Sequence, residues 1–158
     1  MEMQDKLYSP VDGKIIPVSQ VKDEVFQKQY FGKGITIFPQ SDTIISPVDG
    51  VIEKIAEDGH SIRILAENHA RIWIYIGDDI VNQKGECIDI YVKETDIISV
   101  GTPLLECDFD EMRRQNYNLE VTVTVMEQEN VFDLIPFKEG LIRKKEELAG
   151  ILFHESQE

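Results

Sequence analysis

The chain has 158 residues, 42% of them hydrophobic, which suits one domain with a substantial core and argues against disorder. Its formal charge of −14 argues against nucleic acid or an anionic membrane as the main partner, because both bind basic surfaces. No apolar run is long enough to cross a membrane, and the first residues lack the apolar stretch of a secretory signal. We therefore expect a cytoplasmic protein without membrane insertion.

Alternating apolar residues predict an all-β sandwich or barrel, with turn residues about every 8–12 positions. Residues 119–125 are typical of a half-buried strand, and the charged run 143–147 of a solvated loop. The predicted strands cover residues 14–18, 34–38, 43–46, 51–56, 61–65, 71–76, 88–92, 119–125 and 150–154. Short helices are predicted at 23–30, capped by Asp23, and at 108–115, capped by Asp108 with Phe109 and Met112 facing inward.

One pentapeptide occurs twice. Ser-Pro-Val-Asp-Gly stands at residues 9–13 and again at 46–50. In each copy the proline fixes φ and Asp-Gly turns the chain into an apolar strand. An identical segment before two matching strands predicts a duplicated β-unit.

The two cysteines, Cys87 and Cys107, belong to no C-x-x-C motif and have no neighbouring histidine pair. This argues against structural zinc and predicts free, buried or half-buried thiols in a reducing compartment. We expect no metal and no cofactor.

Several segments carry a family resemblance by their order and spacing. They are the repeat, Asp-Glu-Val-Phe at 23–26, Gly-Lys-Gly-Ile-Thr-Ile at 32–37, Pro39, His60, Ile-Gly at 76–77, Asp79, Val81, Lys-Gly-Glu at 84–86, and residues 100–108. Together they resemble the glucose-type enzyme IIA family of the bacterial phosphoenolpyruvate-dependent sugar phosphotransferase system. The resemblance is strongest over residues 7–109, and we treat residues 1–158 as one enzyme IIA-like domain.

The resemblance implies a compact antiparallel β-sandwich that acts as a monomer. It implies that a histidine receives a phosphoryl group from the histidine phosphocarrier protein and passes it to a IIB domain or sugar permease. A second histidine, fifteen positions earlier in the family, supports the acceptor. The supporting position here is His60, and the acceptor position is occupied by Tyr75.

Further site residues follow from the same resemblance. Asp79 completes the catalytic set with His60 and Tyr75. Partner binding is expected at Asp58, Gly77 and an apolar rim; the rim positions are Tyr30, Phe31 and Val81. The segment departs from the family pattern at Tyr75, Asp78 and Ile80, and Asp58 stands where threonine is frequent.

The spacing also predicts a hairpin. With a two-residue loop at Glu67-Asn68, or a four-residue loop, His60 stands directly opposite Tyr75 and the two rings lie side by side. A three-residue loop would shift the register and separate them.

The substitution at position 75 changes the chemistry. A neutral imidazole is nucleophilic near pH 7, whereas a phenol with a pKa of about 10 is almost entirely protonated. The sequence therefore predicts that phosphotransfer is impaired or lost, leaving a regulatory, protein-binding role.

Other interpretations remain open. His60 could itself accept the phosphoryl group, or could join Asp58 and Asp79 in binding zinc. Biotinyl or lipoyl carriage lacks the lysine beside methionine that it needs, and a zinc peptidase lacks closely spaced histidines.

Overall fold

The computed structural model describes residues 2–27, 33–78, 81–82, 84–126, 128 and 131–154. Its strands are β1 (Glu2–Tyr8), β2 (Gly13–Ile16), β3 (Lys33–Pro39), β4 (Thr43–Ile45), β5 (Gly50–Ile55), β6 (Ser61–Ala66), β7 (Arg71–Ile76), β8 (Ile88–Ile90), β9 (Ile97–Ile98), β10 (Pro103–Cys107), β11 (Val121–Val125), β12 (Val131–Pro136), β13 (Leu141–Ile142) and β14 (Glu147–His154). The helices are a 3-10 turn (Val18–Gln20), α1 (Glu24–Gln27) and α2 (Phe109–Arg114).

The strands form three antiparallel sheets, which confirms the predicted all-β class. The largest has the order β13-β2-β3-β11-β7-β6-β5-β9, and the smaller two are β1-β14-β12 and β4-β10-β8. All three sheets contribute to one apolar core, represented by Leu7, Ile44, Ile64, Ile74 and Ile151, each at most 1% exposed. In the described part of the chain, no helix is long and apolar enough to cross a membrane.

The repeated pentapeptide forms the same structure twice. The Ser9 hydroxyl donates to the Val11 carbonyl at 2.8 Å, and the Ser46 hydroxyl donates to the Val48 carbonyl at 2.6 Å. Both serines are completely buried. The strand that follows each copy is paired on both sides, β2 with β13 and β3, and β5 with β9 and β6. The predicted duplicated unit is therefore present in the fold.

The two copies also bind each other through their backbones. The Tyr8 N–H donates to the Pro47 carbonyl at 3.0 Å, and the Ile45 N–H donates to the Pro10 carbonyl at 2.9 Å. These bonds are equivalent under exchange of the copies, so an approximate twofold relation joins the two units.

Strand β11 differs from its prediction because it is buried on both faces. Val121, Val123 and Val125 point into the core, but Thr122 and Thr124 are only 3% and 2% exposed. Strands β3 and β7 pair with its two edges, and the burial of Thr122 and Thr124 shows that its second face is covered as well. Burial of Thr122 is offset by a 2.8 Å hydrogen bond between its hydroxyl and that of Thr36.

Helix α2 confirms its prediction. The Asp108 side chain caps it by accepting the Glu111 N–H at 3.0 Å, and Phe109 and Met112 are buried. The rest of the predicted 23–30 helix beyond α1 lies outside the described residues. Both cysteines are free and buried, and burial raises the pKa of the Cys107 thiol.

Candidate functional site

The hairpin β6–β7 carries Tyr75 and begins directly after His60. Its loop has three residues, 67–69, because Ala66 and Ala70 form the closing pair, with the Ala66 N–H donating to the Ala70 carbonyl at 2.9 Å. His69 takes a positive φ of 72°, the conformation that ends a three-residue hairpin loop. The predicted loop of two or four residues is therefore wrong by one residue.

The register changes accordingly. Ser61, not His60, stands opposite Tyr75, and the His60 carbonyl accepts the Ile76 N–H at 2.7 Å. The prediction that His60 faces Tyr75 directly is thus wrong. Because His60 precedes the strand and follows Gly59, whose φ is +82°, strand alternation does not determine where its side chain points.

The side chain of His60 is oriented by Asp58, since His60 is not part of a strand. One Asp58 carboxylate oxygen accepts the His60 backbone N–H at 3.0 Å and lies 2.5 Å from Nδ1 of the His60 ring. A carboxylate can only accept at this distance, so the contact favours the tautomer that carries its proton on Nδ1. The Nε2 atom then holds the lone pair, which is the form that a nucleophile or general base requires.

Asn82 fixes the loop that carries this pair. Its side-chain N–H donates to the Asp58 carbonyl at 2.7 Å, while its side-chain oxygen accepts the N–H groups of Cys87 and Ile88 at 2.7 and 3.0 Å. Asn82 is only 8% exposed, so these bonds join the His60 loop to the segment before β8. Sequence reasoning does not single out Asn82, because an asparagine in a turn carries no distinct signal.

His60 lines an open depression on the surface. The described residues around it are Ala56, Glu57, Asp58, His60, Asn82, Lys84 and Gly85. They combine an imidazole, the carboxylates of Glu57 and Asp58 and one exposed lysine, Lys84, so acidic groups outnumber basic ones around the imidazole. Among the described residues, no cluster of three metal-binding side chains occurs, and Asp79 lies outside them.

Tyr75 belongs to a neighbouring surface rather than to the described lining of this depression. Its half-buried ring is stacked with Trp73 at a centroid distance of 5.4 Å and an interplanar angle of 19°. Burial disfavours the charged phenolate and raises the pKa of Tyr75 to about 12. At neutral pH the phenol is therefore even less nucleophilic than a free tyrosine.

The predicted partner-binding residues have different outcomes. Val81 is completely buried in the core, so its expected place in an exposed rim is wrong. Gly77 is buried with a φ of +57°, at the turn that leaves β7. Asp58 is half-buried beside His60. Tyr30 and Phe31 lie outside the described residues.

Val81 fails as a rim residue for a steric reason. A Cβ atom added to Gly77 would lie 2.6 Å from Val81 Cγ1, so the valine packs directly against the backbone at the end of β7. Sequence spacing shows that the two residues are near neighbours but cannot show which way the valine points.

Comparison with known proteins places the chain in a family. Residues 5–131 match the model of the phosphoenolpyruvate-dependent sugar phosphotransferase system, EIIA 1. The "PTS system glucose-specific EIIA component" of Oceanobacillus iheyensis is 35% identical over 123 residues, covering 78% of this chain and 74% of that protein. The protein of the same name from Buchnera aphidicola is 30% identical over 149 residues, covering 94% of this chain and 92% of that protein.

Other relatives are much longer. The "PTS system beta-glucoside-specific EIIBCA component" of Bacillus subtilis is 32% identical over 146 residues, which are 92% of this chain but only 24% of that protein. Among solved structures, "glucose permease IIA from Mycoplasma capricolum" superposes with a TM-score of 0.85 at 24% identity, covering 94% of this chain and 96% of that one. The structural match establishes the fold. The family-model match and the similarity to the EIIA components show that this chain belongs to the EIIA 1 family of the phosphoenolpyruvate-dependent sugar phosphotransferase system.

Proposed function

We propose that this chain is a cytoplasmic EIIA component that docks with phosphotransferase-system proteins but does not relay phosphoryl groups through the family's acceptor position. It acts as a single monomeric domain whose role is regulatory protein binding. The expected partners are the histidine phosphocarrier protein and a IIB domain or sugar permease. The observation that carries the proposal is the half-buried phenol of Tyr75, whose pKa burial raises to about 12.

A tyrosine at position 75 is poorly suited both to accepting a phosphoryl group and to passing it on. A phenol that is protonated at neutral pH is a weak nucleophile toward a phosphohistidine donor. A phosphotyrosine ester is also a poor phosphoryl donor, because it lacks the reactive P–N bond of a phosphohistidine. Asp58 and Asp78 are half-buried residues on the segments that flank the site, and their carboxylates repel an incoming phosphoryl group wherever no cation pairs with them.

Intact-mass measurement tests the proposal. The protein is incubated with enzyme I, the histidine phosphocarrier protein and phosphoenolpyruvate, and we expect no phosphorylated species. Tyr75→His should gain one phosphoryl group if the docking surface is intact, whereas the matched control Tyr75→Phe should not. Stoichiometric phosphorylation of the unaltered chain contradicts the loss of transfer, and an unphosphorylated Tyr75→His variant contradicts the retained docking.

The contact between Asp58 and His60 favours a second candidate function, in which His60 is the acceptor. The Asp58 carboxylate favours the proton on Nδ1, so Nε2 of His60 can attack the phosphorus of a phosphohistidine donor as the donor's P–N bond breaks. Phosphorylation of the unaltered chain that His60→Ala abolishes would support this candidate. His69→Asn is the matched control, because it removes an imidazole from the hairpin loop and keeps a residue that tolerates positive φ.

A further inference from the structure

The outward face of strands β5, β6 and β7 carries two guanidinium groups around a single carboxylate. Nε of Arg63 and Nε of Arg71 each lie 3.1 Å from the same oxygen, Oε1 of Glu53. Only the Arg71 contact has hydrogen-bond geometry, and the buried Nε of Arg63 has no hydrogen-bond partner among the described residues. One carboxylate therefore neutralises one of two positive charges and leaves a donor unsatisfied.

An aromatic pair continues the same face. The Arg63 guanidinium carbon lies 5.4 Å from the ring centroid of Trp73, within cation–π range, and Trp73 stacks on Tyr75. The register places the Trp73 side chain beside Arg63 and the Tyr75 side chain beside Ser61, on the face opposite the buried isoleucines. We call Glu53, Arg63, Arg71 and Trp73 the arginine–tryptophan face.

The exposed fractions show that this face is accessible to a partner. The side chains of Arg63 and Arg71 are 30% and 40% exposed, whereas the Glu53 side chain is 20% exposed. The two arginine side chains are thus more accessible than the glutamate side chain that pairs with them. Half-buried arginine and tryptophan side chains are the residue types that contribute most of the binding energy in protein interfaces.

The charge of the face is opposite to that of the protein as a whole. The chain has a formal charge of −14, but two guanidinium groups and one carboxylate give this face a net positive charge of one. A long polyanion such as nucleic acid would be repelled by the rest of the surface. A short acidic segment brings only a few charges, which the two arginines can pair directly.

We propose that the arginine–tryptophan face docks a short acidic segment of a partner protein, with carboxylates on Arg63 and Arg71 and an apolar or aromatic side chain against Trp73. This inference goes beyond the proposed function and holds whether or not phosphoryl transfer occurs. It names the kind of partner, an acidic peptide segment, that would bind the face next to the acceptor position.

The chain contains a single tryptophan, so the emission of Trp73 reports directly on this face. The protein is titrated at low salt with a short synthetic peptide carrying a Glu-Tyr-Glu core, and with a matched peptide carrying Gln-Tyr-Gln. We expect a saturable change in emission with the acidic peptide and about tenfold weaker binding of the neutral one, as expected when charge-assisted hydrogen bonds are lost.

Two double variants distinguish an effect of the arginine–tryptophan face from an effect of the protein's overall charge. Replacing both Arg63 and Arg71 by Gln should weaken binding of the acidic peptide about tenfold. Replacing both Arg113 and Arg114 of α2 by Gln removes the same charge elsewhere and should leave binding unchanged. A further variant, Glu53→Gln, frees both guanidinium groups and should tighten binding.

The tightening expected of Glu53→Gln keeps the inference testable even if the double arginine variant does not fold. Its matched control, Glu139→Gln, removes one exposed carboxylate between β12 and β13 and should have little effect. Equal binding of both peptides, equal weakening by both arginine pairs, or unchanged binding in Glu53→Gln would overturn the proposal. Tighter binding of a single-stranded oligothymidylate than of the acidic peptide would overturn it in favour of nucleic acid.

Discussion

Replacing Gly77 by alanine tests the close packing at the end of β7. Gly77 has a φ of +57°, and an added Cβ would lie 2.3 Å from the Asn118 carbonyl oxygen and 2.6 Å from Val81 Cγ1. The first of these atoms belongs to the backbone and cannot rotate away. The alanine variant therefore carries both the cost of the left-handed conformation and a steric cost.

The two costs can be separated with a second glycine. Gly85 has a φ of +70° but no atom within 4 Å of an added Cβ, so Gly85→Ala carries the conformational cost alone. That cost is about 1 kcal/mol, and overpacking adds about 2 kcal/mol. We expect the free energy of unfolding to fall by about 3 kcal/mol for Gly77→Ala and about 1 kcal/mol for Gly85→Ala.

Urea denaturation, followed by the emission of Trp73, measures both variants under the same conditions. A third variant, Gly140→Ala, repeats the control, since Gly140 also has a positive φ and open space around an added Cβ. If Gly77→Ala and Gly85→Ala lose the same stability within about 0.5 kcal/mol, the steric argument is refuted. The backbone at the end of β7 would then be able to move away from residue 118 at little cost.

Two other predictions concern residues near the candidate site. Asn82→Ala removes an acceptor from the N–H groups of Cys87 and Ile88 and should lower the free energy of unfolding by about 2–3 kcal/mol, with faster amide exchange at both residues; unchanged exchange would contradict the role given to Asn82. The pKa of Tyr75 is raised from 10.0 to about 12 in the folded state. Above pH 10 the phenol of the unfolded chain therefore ionises first, so the free energy of unfolding is highest below pH 10 and falls as the pH rises toward 12. Tyr75→Phe should therefore lose less stability than the unaltered chain between these pH values, measured by urea denaturation, and equal losses would refute the assignment.

The candidate site shows where sequence reasoning stops. Residue types identify His60, Asp58 and Tyr75, and the resemblance assigns the acceptor position to a tyrosine. The hairpin register depends on one residue of loop length, and both loop lengths fit the same alternating pattern. A positive φ at His69 decides between them, which no pattern of hydrophobic residues reveals.

The strand predictions failed at β1 and β11 for a related reason. Strand β1 has few apolar residues and forms because its backbone pairs with β14. Strand β11 reads as amphipathic, yet its threonines are as buried as its valines. Pairing partners and burial of the second face are decided by segments that are distant in the sequence.

Local residue types and short spacings are enough to indicate the all-β class, the duplicated pentapeptide unit, the capped helix α2 and a phenol at position 75. The folded structure was needed to show that Ser61 faces Tyr75, that Val81 is buried, and that Asp58 orients His60. It was also needed to show that Arg63 and Arg71 share Glu53 beside Trp73. These features arise from contacts between neighbouring strands and loops, whose register and direction a linear pattern does not contain.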